Sequence, residues 1–328
     1  MVDYFDAGLL SVSENGVLAY WSPGNAESQL TWFDAQGKSL GTVGSPGAYG
    51  FVSLSPDGTQ AIVSKYASDT TQRMWSLDMS RGTTTRFDLD PTDGQPVVWA
   101  PDGNSFIFSS FQVGKMSDLF QVRLTGKAAP SLLLHTNEAK DPLSWSPDGR
   151  YLLNSAMGGE TNNDLWVLPM DGRNRPLPFL RTKADETDGR FSPDGRWVGY
   201  ASNASGRYEI LVAPFSPDAL QQGISNIGPQ RLVSANGGFS PMWRRDGKEL
   251  FYNDLDNRLM SVPVTTGSVF QAGAPQVLFQ LPRRDGDAFI PPRWSPSPDG
   301  KRFLFVAPTT QEGVPFTVVL NWQAGLKK

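Results

Sequence analysis

Trp145-Ser146-Pro147-Asp148-Gly149-Arg150 decides the fold, because the chain repeats it. Further copies stand at Ser55-Pro56-Asp57-Gly58, Ala100-Pro101-Asp102-Gly103, Ser192-Pro193-Asp194-Gly195, Arg244-Arg245-Asp246-Gly247 and Ser297-Pro298-Asp299-Gly300, with a degenerate first copy at Ser13-Glu14-Asn15-Gly16. Successive Asp positions (Asn15 in the first copy) are 42, 45, 46, 46, 52 and 53 residues apart. Pro presets φ for a type I turn, Asp tolerates the next position, and Gly takes the left-handed conformation that follows. A type I turn closed by a left-handed Gly joins two antiparallel strands through a bulge. Strand-like runs flank every copy, and a period in this range filled with short strands is the signature of an all-β propeller. The copies predict seven four-stranded blades, with six as the alternative, in a single domain over residues 1–328.

Each unit reads as four strands. The first ends, three residues before the Asp, in Leu54, Trp99, Trp145, Phe191 or Trp243; Trp294 takes this part in the last copy, displaced by Ser295-Pro296. Second strands such as Phe106-Ile107-Phe108 and Tyr151-Leu152-Leu153 are near-continuously apolar, as burial on both faces requires. Third strands begin polar and turn apolar, as in Asp118-Leu119-Phe120, Asp164-Leu165-Trp166 and Glu209-Ile210-Leu211. Fourth strands are weaker, as expected at a propeller's outer edge. Most of the 10 Trp and 19 Phe fall at these repeated places, which assigns them to packing between blades. Ser216-Pro217-Asp218 mimics the turn but is followed by Ala219 and reads as an ordinary loop. The last unit ends at Thr317–Trp322 with no fourth strand after it, so ring closure calls on residues near the start, Val2 to Phe5.

Composition narrows the function. With 33 Gly and 26 Pro in 328 residues, long helices are not expected, and the longest apolar runs are strand-sized, too short for a membrane span or a signal peptide. The absence of Cys excludes disulfides, thiol catalysis and Cys-ligated metal. A net charge of −4 argues against nucleic acid or an anionic membrane as the main partner.

Reactive constellations are absent as motifs. The single His, His135, closes a fourth strand and has no sequence context of a triad. No Gly-x-Ser-x-Gly elbow occurs, the one such spacing, Gly37-Lys38-Ser39-Leu40-Gly41, sitting in a turn between strands, and there is no His-Glu-x-x-His. Gly37-Lys38-Ser39 resembles the end of a phosphate loop, but Trp32 stands where its first Gly belongs. Asp88, Asp90, Asp93 and Gly94 suggest a calcium loop, yet the spacing is wrong and Trp99 stands at the position of the bidentate Glu. Carboxylate pairs assembled from separate blades leave glycosidase or lyase chemistry, with or without a bound metal, as the enzymatic alternative.

One asymmetry is left. The loops leading into the innermost strands meet at one mouth of the channel, and they carry Asp3, Asp6, Asp90, Asp93, Glu138, Asp141, Asp185, Glu186, Asp188, Asp285 and Asp287 against Lys140, Lys183, Arg283 and Arg284. An acidic mouth attracts a cationic partner, a metal ion or a polyhydroxylated ligand. The binding candidates are Asp93, Asp141, Asp185, Glu186, Asp188, Asp285 and Asp287.

With turns and third strands laid out, the whole chain resembles the TolB-like β-propellers built on Trp-Ser-Pro-Asp-Gly repeats, and Asp164-Leu165-Trp166-Val167 matches their third strand. A narrower resemblance is carried by Trp243-Arg244-Arg245-Asp246-Gly247-Lys248-Glu249-Leu250-Phe251-Tyr252, Leu259-Met260-Ser261-Val262-Pro263-Val264, Val318-Val319-Leu320-Asn321-Trp322 and Gly16-Val17-Leu18-Ala19-Tyr20. These look like the C-terminal propeller of bacterial receptor-type serine/threonine kinases. That likeness implies a periplasmic or extracytoplasmic sensor or scaffold that binds a protein or small ligand, without catalysis or cofactor and as a monomer. The kinase motifs themselves, a Gly-rich loop, His-Arg-Asp and Asp-Phe-Gly, are missing from this chain. A third reading is the propeller of a serine peptidase separated from its hydrolase domain.

Overall fold

The computed structural model describes residues 10–13, 15–20, 27–66, 72–89, 97–110, 117–124, 129–158, 161–224, 228–282, 293–309, 317–320 and 322. The repeated turn works as the sequence requires. In the four Ser-Pro-Asp-Gly copies, Ser Oγ donates to the Asp carboxylate at 2.5–2.7 Å and accepts the N–H five residues on at 2.9–3.1 Å. In the fifth copy Arg244 stands in for the serine, donating from Nε to Asp246 at 2.7 Å. All six turn glycines are left-handed, with φ between 67° and 75°.

These hairpins build six four-stranded antiparallel blades around one ring. Blade 1 comprises Tyr49–Leu54, Gln60–Tyr66, Gln72–Asp78 and Thr84–Arg86, from the innermost strand outward. Blade 2 comprises Val98–Trp99, Ser105–Ser110, Asp118–Arg123 and Ser131–Leu134. Blade 3 comprises Ala139–Trp145, Tyr151–Gly158, Thr161–Pro169 and Leu177–Leu180. Blade 4 comprises Glu186–Phe191, Trp197–Ser202, Glu209–Pro214 and Arg231–Leu232. Blade 5 comprises Phe239–Trp243, Glu249–Asn253, the long strand Arg258–Thr266 and Gln276–Gln280, with Phe270–Ala272 paired to the far end of the third strand.

Blade 6 closes the ring with strands from the early and late parts of the described chain. Its inner strands are Trp294–Pro296 and Arg302–Pro308, and its outer strands are Ser28–Asp34 and Ser39–Gly47. Seven residue pairs, from Arg302↔Asp34 to Pro308↔Ser28, hold the seam. The expected closure therefore comes from the N-terminal side, but at residues 28–47; Val2 to Phe5 lie outside the described residues. Gln29-Leu30-Thr31-Trp32 carries the polar-then-apolar pattern of a third strand and takes the third place that Thr317–Leu320 was expected to fill.

Six blades replace the seven that counting turns suggested. Strands Leu10–Val12 and Val17–Tyr20, which flank the degenerate turn, pair with Thr317–Leu320 in a separate three-stranded sheet. None of its described side chains belongs to a hydrophobic cluster, whereas six clusters fill the six interfaces between blades. Adjacent residues of one strand serve opposite interfaces: Leu152 packs toward blade 2 and Leu153 toward blade 4. At the seam, Leu304 and Val306 join Leu30 and the blade 1 core, while Trp294, Phe303 and Phe305 meet Phe251 of blade 5.

The turns ring one face: a carbon added to Gly58 would lie 3.0 Å from Pro298, and one added to Gly195 3.6 Å from Pro147. Innermost strands are also stitched directly, Trp99 Nε1 donating to the Ser53 carbonyl at 3.1 Å and Trp243 Nε1 to that of Arg190 at 3.0 Å. Ser216-Pro217-Asp218 is not a loop but opens a helix, Pro217–Gln221, because Ser216 caps it and Pro217 takes the first turn; it buries Leu220 against blades 3 and 4. No helix among the described residues is long and apolar enough to cross a membrane.

Gly149 isolates the backbone requirement, since nothing lies within 4 Å of an added Cβ there. Gly149→Val should lower stability by about 1–3 kcal/mol purely through left-handed strain. Urea denaturation checks this, and an unchanged midpoint contradicts it.

Candidate functional site

Each innermost strand ends in an Asp-Gly turn, so its first residues lie at the opposite mouth of the channel. Four of these strands slip register there by a bulge, between Tyr49 and Val52, Pro142 and Ser144, Thr187 and Arg190, and Phe239 and Met242. Bulges re-aim side chains beside functional openings. In blades 4 and 5 the bulge holds a non-glycine residue left-handed, Asp188 at φ 56° and Ser240 at φ 54°. Asp188 Oδ2 accepts the Ser240 N–H at 2.9 Å and its hydroxyl at 3.3 Å, so one strained residue supports the other across the interface.

A second repeated device surrounds the mouth. The acid just before the apolar run of a third strand is clamped by a residue just beyond the fourth strand. Asp118 meets His135 Nδ1 at 2.9 Å, Asp164 meets Arg181 Nε at 3.3 Å, and Glu209 accepts the Ser234 hydroxyl, the Gly237 N–H at 2.9 Å and Arg207 Nε at 2.6 Å. His135 is thus an exposed strand-end residue paired with Asp118. Lys140 is 2 % exposed; its ammonium donates to the Ser117 carbonyl at 2.6 Å and reaches Asp118 at 3.3 Å. Burial pushes its pKa down, and the contact with Asp118 opposes this.

The candidate acids divide. Asp93, Asp285 and Asp287 lie outside the described residues. Asp141 is half-buried, accepts the Ser109 hydroxyl of blade 2 at 2.8 Å, and is pushed above the usual carboxylate range by burial. Asp185 is spent on structure: its carboxylate accepts Asn163 N–H at 3.1 Å, Asn203 Nδ2 at 2.7 Å and Tyr208 O–H at 3.3 Å. Glu186 is 2 % exposed; Oε1 accepts the Thr182 hydroxyl at 2.5 Å, and Oε2 has no hydrogen-bond partner. Burial raises its pKa, with the nearby charges of Asp164 and Asp185 adding to the shift. Tyr200, fully buried with an unpartnered hydroxyl, is raised as well by burial and by Glu186.

The structure therefore brings Asp185 and Glu186 together but turns Asp141 toward blade 2 and Asp188 toward blade 5. These are not freely solvated loop charges, because polar hydrogen bonds or burial hold each one. Sequence reasoning passed over Asp164 and Glu209, although their repeated place at the start of the third strand was visible, and over Arg190, two residues before a turn. Among the described residues no group of three His, Cys, Asp or Glu is placed to hold a metal ion.

No protein-family model and no curated protein sequence matches the chain. Solved structures do. One assigned as TolB from Agrobacterium tumefaciens superposes with a TM-score of 0.62 at 18% identity, over 86% of this chain and 98% of its own. TolB from Acinetobacter baumannii gives 0.57 at 13% identity, over 88% of this chain and 64% of its own. The fold is a TolB-like β-propeller. An oligogalacturonate lyase in complex with manganese shares it more distantly, at a TM-score of 0.50 and 12% identity over 95% of each chain. At these identities the likeness of the TolB-like ring to its neighbours is one of fold, and fold does not choose a function.

Glu186 makes the electrostatics of the mouth measurable. A carboxyl whose folded pKa lies above its unfolded value holds its proton more tightly when folded, so stability is lost as pH rises from the unfolded value through the folded one. Glu186→Gln should therefore stabilise the protein at pH 7, on the order of 1 kcal/mol, and make little difference below about pH 3. Denaturation of both proteins at the two pH values checks it; a variant less stable than wild type at pH 7 contradicts it.

Proposed function

We propose that the chain is a non-enzymatic recognition module that binds a protein or small ligand at the mouth opposite the Asp-Gly turns. The observation that carries this reading is the gathering of acids on the innermost strands of neighbouring blades at that mouth, Asp141, Glu186 and Asp188 among them, with no described nucleophile–base pair beside them. A negative rim with low-dielectric walls concentrates cationic partners. The resemblance to the propeller of receptor-type kinases supports a place in a bacterial signalling protein, as its periplasmic or extracytoplasmic sensor or scaffold.

The test must spare acids that hold the fold. Asp185→Asn would oppose amide protons to the Asn203 amide, and loss of Asp188 would release Ser240. Glu138→Gln with Asp141→Asn removes two charges while leaving an oxygen to accept the Ser109 hydroxyl. Wild-type protein immobilised at low salt should retain a specific partner from a bacterial extract. Its affinity should fall as salt rises from about 0.05 to 0.5 M, because exposed charges are screened beyond about 8–10 Å. The double variant should bind the purified partner at least tenfold more weakly at low salt and converge with wild type at high salt. Equal affinity and equal salt dependence in the two proteins would sink the acidic-mouth reading.

A further inference from the structure

We propose that Arg190 anchors a second site, inside the channel, that takes the carboxylate of a ligand. Arg190 lies on the innermost strand of blade 4, two residues before the turn. The equivalent residues of the other blades are Ser53, Val98, Ser144, Met242 and Ser295, all uncharged. The serines are short enough to bridge to the next blade: Ser53 donates to the Val97 carbonyl at 3.3 Å, Ser144 Oγ accepts the Phe191 N–H at 3.0 Å, and Ser295 Oγ accepts the Leu54 N–H at 3.4 Å. Arginine is too long for that role, and its backbone carbonyl is already committed to Trp243.

The guanidinium has five N–H donors. It makes one hydrogen bond, at 3.5 Å to the Gly189 carbonyl, the outer limit for such a contact, and no carboxylate of a described residue forms an ion pair with it. Asp188, the nearby acid that acts on its charge, directs Oδ2 to Ser240. Solvent reaches Arg190 only partly, and burial pushes its pKa down. A cation held among protein walls with a carboxylate nearby but none in direct contact is costly unless an anion arrives to pair with it. The planar fork of arginine matches a carboxylate through two parallel hydrogen bonds.

Arg190 lies at the turn end of its strand, so a ligand that enters from the acidic mouth must first pass its acids. The acids of the opposite mouth repel a polyanion, whereas a single carboxylate leading a neutral or cationic body passes them. The chemistry is that of a free amino acid or of the C-terminus of a basic peptide. The carboxylate site stands on Arg190 alone; the preference for a cationic body rests on the acidic-mouth reading.

Thermal unfolding separates these claims, since a ligand bound only by the folded state raises Tm with its concentration. The probes are acetate, free lysine, trilysine with a free C-terminus and trilysine amide, each against chloride at matched ionic strength. Wild type should be stabilised by all three carboxylates, most by those with a cationic body, and less by the amide than by free trilysine. Arg190→Met, which copies Met242 of the next blade, should melt no lower than wild type without ligand and lose the carboxylate response. Arg190→Lys, which keeps the charge but not the fork, should need at least tenfold more ligand for the same shift. Larger shifts with free trilysine than with lysine identify a peptide terminus as the source, and equal shifts identify a free amino acid. No carboxylate response in wild type, or the same response in Arg190→Met, overturns the proposal. Loss of the preference for cationic bodies in the Glu138→Gln, Asp141→Asn variant, with the acetate response intact, shows the two sites to be separable.

Discussion

The Asp-Gly turn, with its left-handed Gly in all six copies and a Ser Oγ bond to the Asp carboxylate in four, is the constraint on which the ring depends. It locks the hairpin so that the residue before the serine always opposes the same residue of the second strand, as in Leu54↔Ala61, Trp145↔Leu152 and Phe191↔Val198. Slipping a strand by one residue exchanges its two faces. In most sheets that would expose one apolar face. Here both faces are buried, against different blades, so a slip would deliver Leu152 and Leu153 to each other's cores and disrupt two interfaces at once. Where the serine is lost the hairpin still forms: the guanidinium of Arg244 braces Asp246, and at Ala100 the Asp102 carboxylate accepts the Asn104 N–H while Trp99↔Phe106 keeps the common register.

Cohesion between blades is likewise built from a few repeated contacts. Each interface has its own apolar cluster, and the innermost strands are joined by indole-to-carbonyl and serine-to-backbone bonds that satisfy groups facing the channel. Where the bulges of blades 4 and 5 break the ladder, Asp188 supplies the missing acceptor for Ser240. The acids at the mouth thus serve the ring and its opening together, and this overlap explains why several of them are half-buried instead of freely solvated.

Much of this was legible in the residues. Turn chemistry, four-strand units and the polar start of third strands are local patterns, and all reappear in the structure. Blade number was not local. The degenerate turn at Ser13–Gly16 forms as a turn, but whether Val17–Tyr20 pairs with Ser28–Asp34 or with Thr317–Leu320 depends on partners at opposite ends of the described chain. At Ser216 the missing Gly does not make a loop, because Ser followed by Pro also starts a helix. Composition made Asp141, Asp185, Glu186 and Asp188 look alike; only three-dimensional partners distinguish a hydrogen-bond hub such as Asp185 from a buried, charge-averse group such as Glu186. Arg190 becomes visible only when the blades are aligned by register and one position in six carries a charge.

The seam of blade 6 has a bearing on how the ring comes into being. Blades 1 to 5 are each contiguous in sequence and can form in the order in which a ribosome delivers them, each docking on the one before. Ser28–Asp34 and Ser39–Gly47 are delivered before all of them yet pair with Arg302–Pro308, which is delivered after. Throughout that interval Leu30, wholly buried in the finished ring, has no Leu304 or Val306 to cover it, and the edge of its strand offers an unpaired row of amides. The half-made propeller is an open horseshoe with an adhesive first edge, and its production is governed by how well that edge is shielded until the last strands arrive.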